Sequence, residues 1–434
     1  MRVLSAFFLV ALLSPFFSGC FKDSCSRKMS YIEVNPIYLS PEEIHASTLE
    51  VEAPRSMENP GRIYYYGDLL FVNELKKGIH IIDNSNPYFP VQEAFLKLPG
   101  NENMAVYNGL LYANIYTDLL IIDLNTLQVV GRQENAFRPF GMNQEDGKLL
   151  VGFTETPVTK YVDCYDEERL VWLSDGRPVM FTESIDMDAQ GAYFFSAGSE
   201  VAASSLGNSG GTGIGGSMAR YAVVADYLYV IDKWNLNVFS LAQPLQPEKV
   251  YDVYVGSNIE TIFPAGKFLF IGSESGMYVY SNEDPAAPSL ISGFAHARAC
   301  DPVYVEGTLA YITLRDGNTC EGYSNQLDVV DVSDIFNPKL LHSFPMGNPH
   351  GLAVKGPDLF LCDGKYGFKR FDASEVRDGE LPLLTEKDIN AFDVIALSPE
   401  FSLVLVIGAD GFYQYSYAEG DELNLVSYLP VKIQ

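Results

Sequence analysis

One short phrase recurs along this chain of 434 residues at a nearly constant interval. It is first met at Gly78-Ile79-His80-Ile81-Ile82-Asp83, and its outline returns at 118–123, 235–240, 276–281, 326–331, 367–372 and 411–416. The last residues of the repeating strand fall at Asp83, Asp123, Cys164, Ser240, Ser281, Asp331, Asp372 and Ser416, giving intervals of 40, 41, 76, 41, 50, 41 and 44. Each phrase is preceded by an apolar run such as 69–72 or 227–231, and followed by a turn and a further run such as 91–98 or 339–344. Four strands in some forty residues is the period of a propeller blade, and the interval of 76 is one unit plus an insertion. The expected fold is therefore all-β, a β-propeller of eight four-stranded blades. The alternative is a seven-bladed ring in which the third unit, around 143–164, fails to form a blade.

Composition agrees. Hydrophobic residues are 47% of the chain, with 27 Tyr and 27 Phe against two Trp, which suits pleated, half-buried surfaces. Pro87, Pro244, Pro285 and Pro338 stand between third and fourth strands, where a missing donor costs no ladder bond and a fixed φ sets the turn. The run Ile79, Ile81, Ile82 breaks strict alternation, as a strand covered on both faces should.

Residues 1–19 read as an export signal: Arg2, the apolar run Val3 to Phe17, then Ser18-Gly19 before Cys20. A cysteine directly after two small residues resembles the lipobox of bacterial lipoproteins, with an ordinary secretory signal as the alternative. Acyl chains on Cys20 would hold the chain at a membrane by burying about 0.8 kcal/mol per CH₂. Residues 20–58 read as a tether and irregular lead-in with a short edge strand at 48–52, and 59–434 as the propeller, with the insertion at about 171–217. The formal charge is −27, and no run of more than two basic residues exists, which excludes nucleic-acid binding.

Because first strands line a propeller's channel, residues at their entrances and in the loops after second strands should converge on one mouth. This brings together Asn103, Arg138, Arg220, Glu260, Asp301, His350 and Asp393, joined by Asn114, Glu155, Glu274, Arg315 and Asp363. Of these, Arg220, Glu260, Asp301, Arg315, His350, Asp363 and Asp393 are the ligand-binding candidates. Carboxylates with a histidine suit ligand binding or general acid and base work, and a closed ring always has polar residues at its mouths. His350 is one histidine, too few for a usual zinc site. The phrase Asp186 to Gly191 begins like a calcium loop, but Ala197 stands where a bidentate Glu is required. No metal and no cofactor is expected.

Cys300 and Cys320 fall at the same mouth and are a candidate disulfide, with two free thiols as the alternative. Cys362 reads as a small core residue. The Gly-rich stretch Gly207 to Gly216 reads as a flexible loop, because no strand-to-helix context supports a phosphate cradle.

The phrases at 78–83, 118–123 and 326–331, with Ser217-Met218-Ala219-Arg220, Ile259-Glu260-Thr261-Ile262, Cys300-Asp301-Pro302-Val303 and Pro349-His350-Gly351-Leu352, make the chain from about Gly61 resemble the LVIVD-repeat lipoproteins of the bacterial envelope. The resemblance implies a β-propeller at the cell surface or in the periplasm, and no settled activity. The expected function is a lipid-anchored outer-membrane protein, with a periplasm-facing or secreted chain as alternative, that binds a protein or glycan partner through one face of the ring without catalysis. The other reading is a propeller hydrolase or lyase using the mouth carboxylates with His350.

Overall fold

The computed structural model describes residues 26–143, 146–163, 170–172, 178–182, 213–217, 219–295, 302–315, 325–397, 402–418 and 420–432. The leader, Cys20, the Asp186 to Gly191 phrase, Cys300, Asp301 and Cys320 lie outside them, and so does the bulk of the insertion. The chain divides into a large body, 36–153 with 185–434, and a small one, 1–35 with 154–184.

The described residues form eight sheets, the number the repeat spacing predicts. The second and the fourth to eighth repeats each make a four-stranded antiparallel meander in sequence order, such as Met104–Tyr107, Leu110–Ile115, Asp118–Asp123 and Gln128–Gln133. The first repeat makes the same meander, Pro60–Tyr66, Leu69–Glu74, Gly78–Asp83 and Val91–Lys97. It is extended by Glu50–Glu52 at its outer edge and Ile214–Gly215 at its inner edge. The edge strand expected near 48–52 is thus present.

Burial follows position in the meander. Third strands such as Asp118–Asp123 are buried at every residue but the last, because neighbouring sheets cover both faces. Fourth strands such as Glu248–Tyr254 alternate exposed and half-buried residues, as a rim strand with one wet face does. Each fully buried Ile, Leu or Val contributes about 1.5–3 kcal/mol, so the two-sided third strands carry the largest share per residue.

The terminal residue of the repeated phrase has a mechanical role. Asp83, Asp123, Asp331 and Asp372 accept the backbone N–H two residues on, at 2.8–2.9 Å, and hydrogen bonds from their turns, the Thr126 N–H foremost at Asp123 and the Ser374 side chain foremost at Asp372, hold their carboxyls below the usual range. Ser240, Ser281 and Ser416 accept the equivalent N–H more loosely, at 3.3–3.4 Å. The phrase ends in Asp or Ser because a short side-chain acceptor starts the turn there.

Neighbouring meanders are stitched by side chains that donate to the next repeat's turn. Tyr229 Oη of the fourth repeat donates to Pro285 O of the fifth at 2.9 Å, and Ser292 Oγ of the fifth to Ile335 O of the sixth at 2.5 Å. Gln414 Nε2 of the eighth repeat donates to Pro87 O of the first at 3.1 Å, closing the ring. Tyr112 Oη of the second repeat donates at 2.9 Å to Pro244 O of the fourth. Repeats two and four are therefore direct neighbours, and seven meanders close on one another. The β-propeller class and the count of eight sheets stand, and the inner contacts follow the arrangement foreseen for a third repeat that does not stand in the ring.

The third repeat's sheet is of another kind. It has five strands in the order Gly141–Met142, Leu149–Asp163, Ser26–Leu39, Pro178–Phe181, Val171–Trp172. Ser26–Leu39 runs parallel to Pro178–Phe181, with Ile32 opposite Val179. In the small body, Tyr31, Val162 and Leu170 are buried together against Met29, Val158 and Met180.

Candidate binding mouth at the centre of the ring

Seven first strands begin at one end of the channel of the large body, and five of them carry a charged residue at or near their opening. Arg62 lies in the first strand of repeat one, Glu102 just before that of repeat two, Arg220 before that of repeat four, Glu260 in that of repeat five and Asp393 in that of repeat eight. Arg62 donates to the Glu102 carbonyl. Arg220 lies 3.4 Å from the Glu102 carboxylate and donates to the Glu260 carbonyl at 3.4 Å. Arg62 and Arg220 are 5% exposed, which shows in their acidities. Burial, then repulsion from Arg220, lowers Arg62 to about 9 against the pull of Glu102, Asp393 and Glu260. Burial also lowers Arg220, opposed first by Glu102.

The carboxylates are pushed the other way. Burial raises Glu260, opposed by Arg220 and Arg315. Asp393 is wholly buried; burial raises it to about 7, although the Val394 N–H, Arg62 and the Ile63 N–H favour the anion.

Inside the channel, antiparallel to the first strand of repeat one, runs the close of the insertion, Gly213 to Ser217, which reaches the mouth at Gly216 and Ser217. Ile214–Gly215 pairs with the first strand of repeat one, Ile214 opposite Tyr65 and Gly215 opposite Tyr64. Gly213 N–H donates to Val106 O of repeat two at 3.3 Å, and Ser217 Oγ accepts the Leu352 N–H of repeat seven at 2.8 Å. A Cβ at Gly213 would enter the Tyr64 ring, and one at Gly216 would overlap the Asp393 carboxylate. These glycines are required by close approach, so the end of the stretch expected to be a flexible loop is a seated strand.

His350 is 3% exposed and its Nδ1 lies 2.7 Å from Arg315 Nη1. A guanidinium can only donate, so the imidazole accepts and is neutral. Burial, with Arg315 adding to it, holds its pKa well below the ordinary histidine range. Asp363, wholly buried, accepts the Gly347 and Asn348 N–H groups and pairs with Lys369 at 2.6 Å. It fixes the loop leading to His350.

Of the expected residues, Arg220, Glu260 and Asp393 share the mouth with Arg62 and Glu102, Glu260 also feels Arg315, and Arg315 joins His350. Asp363 acts as a loop anchor. Asn103 is buried and Asn114 accepts its N–H at 3.1 Å. Arg138 is exposed and 3.4 Å from Asp252, and Glu274 accepts from Asn258. Glu155 is exposed and belongs to the small body. Arg62, Glu102 and Ser217 were not anticipated. Arg62 in Gly61-Arg62-Ile63 stands where Arg220 stands in Ala219-Arg220-Tyr221, a correspondence that alignment of the first strands reveals. Ser217 stood in the phrase Ser217-Met218-Ala219-Arg220 with no role read from it.

Cys362 is a buried free thiol, as a small core residue should be. Among the described residues no group of three His, Cys, Asp or Glu side chains is placed to hold a metal ion. No helix there is long and apolar enough to cross a membrane.

The topology defines the large body as a β-propeller whose channel is lined on one side by a strand of its own insertion. No family model and no curated protein matches the sequence. Among solved structures it is similar to Hsv2 of Kluyveromyces lactis, with 10% identity, a TM-score of 0.47, and coverage of 87% of this chain and 100% of that one. A computationally designed protein, Ika8, gives 8% identity, a TM-score of 0.48, and 86% and 88% coverage. The dihydro-heme d1 dehydrogenase NirN gives 11% identity, a TM-score of 0.47, and 87% and 67% coverage. At these scores none of them carries a functional argument, and the class rests on the sheets themselves.

Proposed function

We propose that this chain is a cell-envelope lipoprotein of the LVIVD-repeat kind, held at the outer membrane by lipidated Cys20, whose propeller binds a protein or glycan partner without catalysis. The observation that carries the non-catalytic part is the strand Gly213 to Ser217 seated inside the channel, with Gly216 flush against Asp393 at the mouth. Catalysis by the mouth carboxylates with His350 would need an acceptor lone pair on that histidine and an approach to Asp393. Arg315 occupies the first, and Gly216 with Gly351 covers the second. Binding needs neither. It needs a rigid, satisfied polar surface, and a ring of paired charges offers one.

The test is a pull-down from solubilised outer membrane with the full chain, beside a Cys20→Ser variant. The reading expects a stoichiometric envelope partner, and loss of the variant from the membrane fraction. Turnover of an esterase, glycosidase or lyase substrate panel that disappears in His350→Gln would overturn it.

A further inference from the structure

Where the third repeat leaves the ring, the seam between repeats two and four holds a cavity of about 90 Å³, room for roughly six to nine waters. It is continuous with the mouth through Glu102 and Arg220, which form part of its wall. From the geometry we infer that this cavity binds one pyranose sugar, the terminal residue of a glycan.

The lining has the two characters such a ring requires. One side is aromatic, with Tyr116, Phe137 and Phe140 all partly exposed. Phe137 is held by Tyr221 at 5.9 Å and Phe239 at 6.0 Å, and Phe140 is stacked on Phe153 at 6.4 Å. The apolar C–H face of a pyranose packs on rings of this kind. The other side is polar and self-neutralised: the Glu102 carboxylate can accept from a hydroxyl and the Arg220 guanidinium can donate to one. Thr117, 4% exposed, lies in the wall with an Oγ1 that makes no hydrogen bond. A buried hydroxyl without a partner costs about 1–3 kcal/mol, and a turn of the Thr117 side chain about Cα–Cβ would bring it to a sugar hydroxyl. A purely aromatic ligand would leave Thr117 unsatisfied, and a phosphorylated one is disfavoured by a chain of charge −27.

Tyr116 adds an independent sign. Its φ is 49°, left-handed for a bulky residue, a strain that persists at functional sites when the surroundings hold it. The turn after the second strand is also left-handed at Lys76 in repeat one and Gly364 in repeat seven, so the backbone does not ask for tyrosine. Gly100 lies so close to the Tyr116 ring that a Cβ would reach its Cε1 at 3.0 Å, which fixes the ring at the cavity.

This inference rests on the binding reading of the same face. Its test is saturation-transfer NMR on the full chain with methyl β-D-glucopyranoside, methyl β-D-galactopyranoside and methyl N-acetyl-β-D-glucosaminide as probes, with affinities from titration calorimetry. At least one probe should receive saturation, and Phe140→Ala should weaken it by about tenfold, the loss of one stacking contact. Thr117→Val, which keeps the shape, should weaken it several-fold, whereas Phe336→Ala, in a turn at the other end of its strands, should not. If Phe140→Ala does not fold, Thr117→Val carries the test alone. Absence of transfer from all three probes, or transfer that survives the cavity variants unchanged, overturns the inference. A membrane partner recovered without any pyranoside binding would overturn it and leave the binding reading standing.

Discussion

Acidic residues sit at both ends of these strands and behave in opposite ways. At the mouth end, Glu74, Asp118, Asp363 and Asp393 are all completely buried. At the turn end, Asp83, Asp123, Asp331 and Asp372 face water and each holds a backbone N–H of the next turn. The turn-end set recurs with the repeat because each member does the same local job. The mouth-end set does not recur, because each member answers a different neighbour: Arg55 with the Glu58 N–H, Arg132, Lys369, or the packed glycines. Periodic chemistry in this chain builds the fold, and aperiodic chemistry at the other end equips it.

Breaking a mouth-end group should therefore cost most. Glu74 binds Arg55 and the Glu58 N–H and lies 3.3 Å from the buried His80. The Glu74→Ala variant should lose about 2–4 kcal/mol in urea unfolding, from the loss of the Arg55 ion pair and of the acceptor of the Glu58 N–H. A loss under 1 kcal/mol would show that this end is no more demanding than the other.

Next comes the seated strand. Gly216→Val should lose about 1–3 kcal/mol by overpacking against Asp393, and amide exchange near Ile63 and Leu352 should quicken. A variant as stable as the parent would mean that the strand does not reach the mouth.

The mouth-end carboxyls should also differ among themselves in the sign of their pH dependence. An unfolded aspartate ionises near pH 4, whereas Asp393 holds its proton to about 7 in the fold. Between those values the folded state binds the extra proton, so stability falls as pH rises, by at most about 1.4 kcal/mol per pH unit. Asp393→Asn should remove that slope from a series of denaturation curves. Glu74, held at about 2, works in the opposite direction, its contribution being lost as pH falls below about 4. A stability profile in Asp393→Asn identical to the parent's would contradict the burial of this carboxyl.

The smallest effect belongs to the turn end. Asp83→Ala should leave the melting temperature nearly unchanged, because water replaces the acceptor. A collapse of the fold would erase the distinction between the two ends.

This contrast also explains what could be read from the chain alone. Asp83 and its equivalents announced the propeller, since a turn acceptor every forty residues is a local requirement written in local sequence. Arg220, Glu260 and Asp393 were legible as mouth residues once first strands were counted, because register places them there. Gly213 to Ser217 was not: glycines that permit close approach and glycines that loosen a linker look alike until the neighbour, Tyr64 or Asp393, is known. The third repeat's exit from the ring was legible only as the alternative to eight blades, because its strands find partners in Ser26–Leu39, far away in sequence.

The contact between repeats two and four tests the ring most directly. A benzophenone side chain placed at Leu245, whose carbonyl lies against Gly131, should on irradiation be captured by the strand Gln128–Gln133, giving a cross-linked peptide identifiable by mass spectrometry. Capture by residues 149–163 instead would put the third repeat between the second and fourth and contradict the account.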